Sequence, residues 1–181
     1  VAARALSAPT LPRPPSISAA FDSGNIEVKD VACGSDDAHT FTLKIRPDAY
    51  THGTDKTAHF QWFHFRASGV KGKQCTFVLE NAGDASYPEG WEDYKTVASY
   101  DREDWFRIAS TEYENGKLSW TLTPERDSIW FAYFAPYSWE RHERLVAELG
   151  AGLGTHTSIG ETLEGRPLDL LTFGDGPLQI W

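Results

Sequence analysis

Six histidines, two cysteines and a scatter of carboxylates are the side chains of this sequence that could do chemistry. A hydrolytic zinc centre needs two or three neutral imidazoles beside a carboxylate, with one position open for water. No such set lies close together along the chain. His59 and His64 are five apart on one expected strand and would face opposite sides. His39 and His142 stand alone, and His156 falls in a glycine-rich connector. His52 and Asp55 have an HxxD spacing inside a polar turn, which a solvated loop explains. Cys33 and Cys75 lie far apart, so neither a zinc finger nor a disulfide scaffold follows. Two reduced thiols are expected, with a single bridge as the alternative. There is no GxSxG elbow, and Gly150–Gly154 (GAGLG) follows a helical pattern and lacks the lysine of a phosphate loop. The expectation is no catalytic residue and no metal ligand in this chain.

Two other clusters are candidates for contact rather than catalysis. The polar loop Asp84–Tyr100 carries Tyr87, Trp91 and Tyr94, which could stack on a sugar, dock on a neighbouring domain or fold back over a sheet edge. Ala135–Leu145 (APYSWERHERL) places Tyr137, Arg141 and His142 at the start of a helix. Arg141 could hold a carboxylate bidentately and Tyr137 could donate to one, so this trio is the candidate for an interdomain or substrate-access surface. Bracing of the helix is the plainer role for the same residues.

The elements that must position these groups are mostly strands. Phe41, Leu43 and Ile45 alternate with polar residues, as do Leu118, Trp120 and Leu122, which marks strands with one buried face. Asn115-Gly116 supplies a hairpin turn because both residues tolerate positive φ. His59–Ala67, Cys75–Leu79 and Ile129–Phe134 look apolar on both faces; Asn25–Val31, Thr96–Tyr100 and Trp105–Ser110 are weaker strands. About eight or nine short strands at such spacing predict a mainly β fold, an antiparallel β-sandwich. One helix follows, capped by Ser138, with Trp139, His142, Val146 and Leu149 on the face expected to pack on the sandwich. After the glycines come strands at Thr157–Thr162, Pro167–Phe173 and Leu178–Trp181. The expected division is a Pro/Ala-rich extended tail over 1–16, a sandwich over 17–149, and a linker with the first strands of a second domain over 150–181.

Composition limits the partners. The net charge of −9 argues against a phosphate-backbone binder, so no nucleic acid is expected. No apolar run approaches the length of a membrane span, and the first residues lack the apolar core of a secretory signal. A cytoplasmic location is therefore expected. The absence of methionine suggests a chain that begins inside a longer reading frame or after processing.

Several motifs taken in order resemble a known family. They are Phe21-Asp22-Ser23-Gly24-Asn25 (FDSGN), Gln61–Phe65 (QWFHF), Trp105-Phe106-Arg107, Phe131–Arg141 (FAYFAPYSWER) and Ile159–Leu168 (IGETLEGRPL). Together, over about 17 to 181, they resemble the N-terminal domain of bacterial cytosolic carboxypeptidases, a branch of the zinc metallocarboxypeptidases. The resemblance implies a sandwich packed on an α/β catalytic domain whose first hairpin is IGETLEGRPLDLL. It also implies release of C-terminal residues from peptides or proteins, glutamate among them, and zinc as the cofactor of the full-length enzyme. In that family zinc is held by an HxxE pair and a later histidine, with a downstream glutamate as base. None of these has a counterpart here, so the chain alone should be inactive. The implied partner is the protein's own catalytic domain, with peptide C-termini reached through it; homo-oligomerisation stays open. The rival reading is a stand-alone β-sandwich module that binds carbohydrate or peptide through Tyr87, Trp91 and Tyr94. A complete small zinc enzyme is a third, supported only by scattered histidines.

Overall fold

Large apolar side chains at every second position turn most of the first unit into two five-stranded sheets. The computed structural model describes residues 14–34, 37–51, 53–54, 59–152 and 154–176. One sheet runs β1 (Ser16–Ser18), β4 (His64–Ser68), β10 (Ser128–Ala132), β6 (Val97–Ser99) and β7 (Phe106–Arg107). The other runs β2 (Glu27–Cys33), β3 (His39–Lys44), β5 (Cys75–Leu79), β9 (Lys117–Leu122) and β8 (Glu112–Glu114). Neighbours are antiparallel except β3 and β5, which pair in parallel from His39↔Cys75 to Leu43↔Leu79. The purely antiparallel expectation is corrected there. The chain leaves β3, forms β4 in the opposite sheet and returns as β5, so a passage through the other layer serves as the crossover that a parallel pair requires.

Aromatic rings fill the space between the sheets. Phe65 and Phe131 face Phe77 and Trp120 across it, with centroids 4.6 Å apart for Phe77–Phe131 and 5.5 Å for Trp120–Phe131. Phe41 stacks on Phe77 at 4.7 Å along the same layer. All five rings are at most 1% exposed. Rings this large supply most of the hydrophobic burial of such a core, and their tilted and offset packing adds to it.

The strand boundaries differ from the sequence pattern in instructive ways. Only His64 onward of the His59–Ala67 run belongs to β4. Before it the chain is extended but bonded elsewhere: Phe60 N–H donates to Ser86 Oγ, and Phe63 C=O accepts from Tyr133 N–H. Strand β8, with its polar Glu-Tyr-Glu sequence, has no apolar alternation to announce it. It exists because Asn115 (φ 51°) and Gly116 (φ 75°) close a two-residue turn that lays it against β9.

The chain divides into Val1–Pro136 and Tyr137–Trp181. The second unit holds helix α1 (Trp139–Gly150) and a hairpin of β11 (Thr155–Glu161) and β12 (Pro167–Thr172). Ser138 Oγ accepts from Arg141 N–H at 3.4 Å and caps the helix as expected. The helix, however, groups with the hairpin, whereas the sequence pattern assigned it to the sandwich with a boundary at 149. Its polar partners explain this, since Arg166 lies over the Trp139 ring and Asp169 takes the His142 N–H. The extended tail expected over 1–16 and the strand expected at 178–181 lie largely outside the described residues, as do His52 and Asp55. Among the described residues no helix is long and apolar enough to cross a membrane.

Phe77 touches four other core rings, so Phe77→Ala should cost about 3–5 kcal/mol in a urea titration. Phe106→Ala, at a ring 42% exposed, should stay within about 1 kcal/mol of the parent. Equal losses at the two positions would contradict this assignment of the core.

Candidate functional site

FDSGN, QWFHF, Trp105 and Phe134, from four of the motifs noted for their order along the chain, meet in space on the outer face of the β4 sheet. The FDSGN loop is clamped to the QWFHF segment by backbone and side chain alike. Asn25 exchanges both main-chain bonds with His64, at 2.9 and 3.1 Å. The Asn25 side-chain amide donates to Arg46 C=O and Trp62 C=O, both at 3.0 Å, while its oxygen accepts from Arg46 Nε. Trp62 Nε1 donates to Ser23 C=O at 2.7 Å. A Cβ on Gly24 would sit 2.1 Å from the Ala19 carbonyl oxygen, so only glycine allows this loop to close.

His64 lies at the centre, fully buried. Phe21, Trp62 and Trp105 surround its ring at 4.8, 6.1 and 5.9 Å, and Phe134, 54% exposed, packs on Trp62 at 4.9 Å. Trp105 is brought there by a tight loop in which Asp101 accepts the N–H groups of Glu103 and Asp104, bonds that hold its carboxyl below the usual range. Ser23 Oγ donates to Asp22 C=O and lies 2.9 Å from His64 Nδ1. With the serine proton so committed, Nδ1 carries the imidazole hydrogen, and Nε2 is left as a buried lone pair without a described donor. Burial lowers the His64 pKa to about 4, aided by the positive Arg102 and opposed by Asp22. His64 is a neutral, wedged ring, not a base at neutral pH.

A second polar node joins the three elements of the other unit. Asp169 on β12 accepts from His142 Nε2 of α1 at 2.8 Å and from His156 Nε2 of β11 at 2.6 Å. Its side chain is 7% exposed, and these two hydrogen bonds hold its carboxyl below the ordinary range. The expectation that His142 stands alone is thus corrected, and His156, expected in a glycine-rich connector, lies on β11 and shares its partner. Tyr137, Arg141 and His142 do come together, with Arg141 over the Tyr137 ring at 5.4 Å and His142 6.4 Å from it. Tyr137 and Arg141 are exposed and available, whereas His142 is already spent on Asp169.

The aromatic loop folds inward. Trp91 is 1% exposed and donates its Nε1 to Ala82 C=O at 2.8 Å; Tyr94 donates its hydroxyl to Ala132 C=O and Tyr133 C=O, and burial pushes its phenol up. Only Tyr87 stays exposed. Two of the three rings expected to contact a ligand serve the core instead, which removes the anchor of the stand-alone binding-module reading.

The described residues do not fit a zinc ion. Among the described residues no three His, Cys, Asp or Glu side chains are arranged to hold a metal. His39 is buried beside Phe41, and Cys33 and Cys75 lie on the strands to either side of it. The two thiols are therefore about 10 Å apart, beyond disulfide reach, and both are free. Burial raises the Cys75 thiol to about 11, so it is not a thiolate at neutral pH.

Residues 17–134, more than half of the chain, match the family model described as the cytosolic carboxypeptidase N-terminal domain. The chain belongs to that family. A metallo-carboxypeptidase from Burkholderia cenocepacia is 40% identical with a TM-score of 0.77 over 90% of this chain and 40% of its own. A metallo-carboxypeptidase from Pseudomonas aeruginosa, solved with (2-guanidinoethylmercapto)succinic acid, is 41% identical with a TM-score of 0.72 over 90% of this chain and 41% of its own. An uncharacterized protein of Zymomonas mobilis is 39% identical over 91% of this chain and 40% of its own. The chain thus spans about 40% of the length of these relatives. The clamp of FDSGN on QWFHF and the convergence of Trp105 and Phe134 belong to this carboxypeptidase N-terminal domain.

The wedged imidazole makes stability depend on pH. The unfolded histidine titrates near 6.5 and the folded one near 4, so the unfolded chain holds more protons between those values. Stability should be full above pH 6.5 and fall by about 3 kcal/mol on acidification to pH 4. Urea midpoints across that range should show the slope, and His64→Gln should flatten it; an unchanged slope in the variant would assign it to other groups.

Proposed function

We propose that this chain is the non-catalytic front part of a zinc metallocarboxypeptidase that removes C-terminal residues from peptides or proteins in the cytoplasm. Its roles there are to support folding of the catalytic domain, to shape one wall of substrate access, and to take part in assembly. The observation that carries this reading is the state of the second unit. Every residue of β11 is exposed, no residue of α1 is buried, and Ile159, Leu163 and Phe173 are 63, 86 and 52% exposed. A two-stranded sheet with such faces cannot hold itself together in water; it needs more sheet and further helices to cover it. The sandwich supports the same reading, because its clamp presents the Trp62–Phe134 ring pair, with Phe134 exposed, as a surface for a neighbour. The zinc ligands and the general base of the reaction lie outside these 181 residues, and no step is assigned to any side chain here. Tyr137 and Arg141, exposed at the start of α1, are the side chains assigned here to face substrate or the catalytic domain.

The test is to express the full reading frame and the 181-residue chain separately. Each is assayed for metal content and for release of C-terminal glutamate, lysine and leucine from short peptides. The full protein should carry zinc and release at least one of the three, glutamate being the first to test, while the short chain does neither. A zinc-loaded, active 181-residue chain would overturn the reading, as would a full protein that releases nothing. In the full protein Arg141→Ala should raise KM or lower soluble yield several-fold; unchanged kinetics and yield would remove Arg141 from the access surface.

A further inference from the structure

A groove of about 800 Å³ runs between the turn at Pro88–Trp91, the segment that follows it to Lys95, and the residues of strand β8. Glu89, Glu92, Asp93, Glu112 and Glu114 line it, all exposed and none with an ion-pair partner among the described residues. The lining cation, Lys95, is turned to the protein itself and donates its Nζ to Thr111 C=O at 2.8 Å. The groove therefore concentrates negative charge, five carboxylates against one lining cation.

Its second property is a free strand edge. β8 is the last strand of its sheet. The two-residue turn at Asn115-Gly116 makes Glu114↔Lys117 a hydrogen-bonded pair, and Glu112↔Ser119 the next one. Tyr113 lies between them in a non-bonded pair, so its N–H and C=O point away from β9 to the side that no strand covers. Neither group is hydrogen-bonded among the described residues. The free edge and the groove share Thr111–Glu114.

We propose that this groove takes an extended, lysine- or arginine-rich peptide segment, which adds to β8 as a further strand. Main-chain bonds to Tyr113 would supply the pairing. Glu112 and Glu114 lie on one face of β8 at the two-residue spacing of a strand, so alternate side chains of the added segment run beside them. An added strand with lysine or arginine at every second position fits both constraints at once, and Glu89, Glu92 and Asp93 on the opposite wall extend the preference for cations. The same charge excludes acidic peptides and nucleic acid.

The experiment measures fluorescence anisotropy of a labelled, end-capped eight-residue peptide of alternating lysine and threonine, titrated with the 181-residue chain. Saturable binding is expected, weakening with salt and lost when glutamate replaces lysine in the peptide. N-methylation of alternate backbone amides keeps the charge but removes the strand pairing, and should weaken binding about tenfold or more. Glu112→Gln combined with Glu114→Gln should do the same. Both positions are exposed at a sheet edge, and an unchanged near-ultraviolet circular dichroism spectrum will show that the fold is kept. Equal binding of the N-methylated peptide would reduce the contact to charge alone and overturn the proposal. So would equal binding by the double variant, or no saturation up to millimolar chain.

Discussion

The packing of aromatic rings between the two sheets is the constraint on which the rest of the first unit depends. Phe65 and Phe131 on one layer meet Phe77 and Trp120 on the other, and none of these can be shortened without opening the space that separates the layers. Inward rings on β4 and β10 force the alternate residues outward. His64 is such a residue, next to inward Phe63 and Phe65, and so is Trp130, next to inward Ile129 and Phe131. The site on the outer face is thus a consequence of what fills the inner one.

On that outer face the cost of burying an imidazole is met by geometry rather than by charge. Ser23 takes the Nδ1 hydrogen, three aromatic rings exclude water, and the Asn25 amide ties the loop to both Arg46 and Trp62. The second unit uses the opposite device. There a single carboxylate, Asp169, gathers the helix and both strands through two imidazoles, while Ile159, Leu163, Leu168 and Phe173 stay exposed. A unit with so little buried surface is a weak structure by itself.

Parts of this were legible in the residues. The period-two runs at Phe41–Ile45 and Leu118–Leu122, the Asn115-Gly116 turn and the Ser138 cap all correspond to observed elements, because each is a local preference that the tertiary structure reinforces. The parallel pairing of β3 with β5 was not legible, since alternation shows which side of a strand is buried but not which strand lies beside it. Nor was β8, a polar strand that owes its existence to its neighbour.

The sequence by itself determined a mainly β fold, the order of its motifs and the family they resemble, because patterning and turn chemistry act over a few residues. Which of the polar groups meet was decided only by the tertiary structure. His142, His156 and Asp169 come from a helix and two strands, and Trp91 and Tyr94 turn inward because Ala82, Ala132 and Tyr133 offer carbonyls there. Contacts of that kind depend on the path of the chain between distant residues, and no local preference encodes that path.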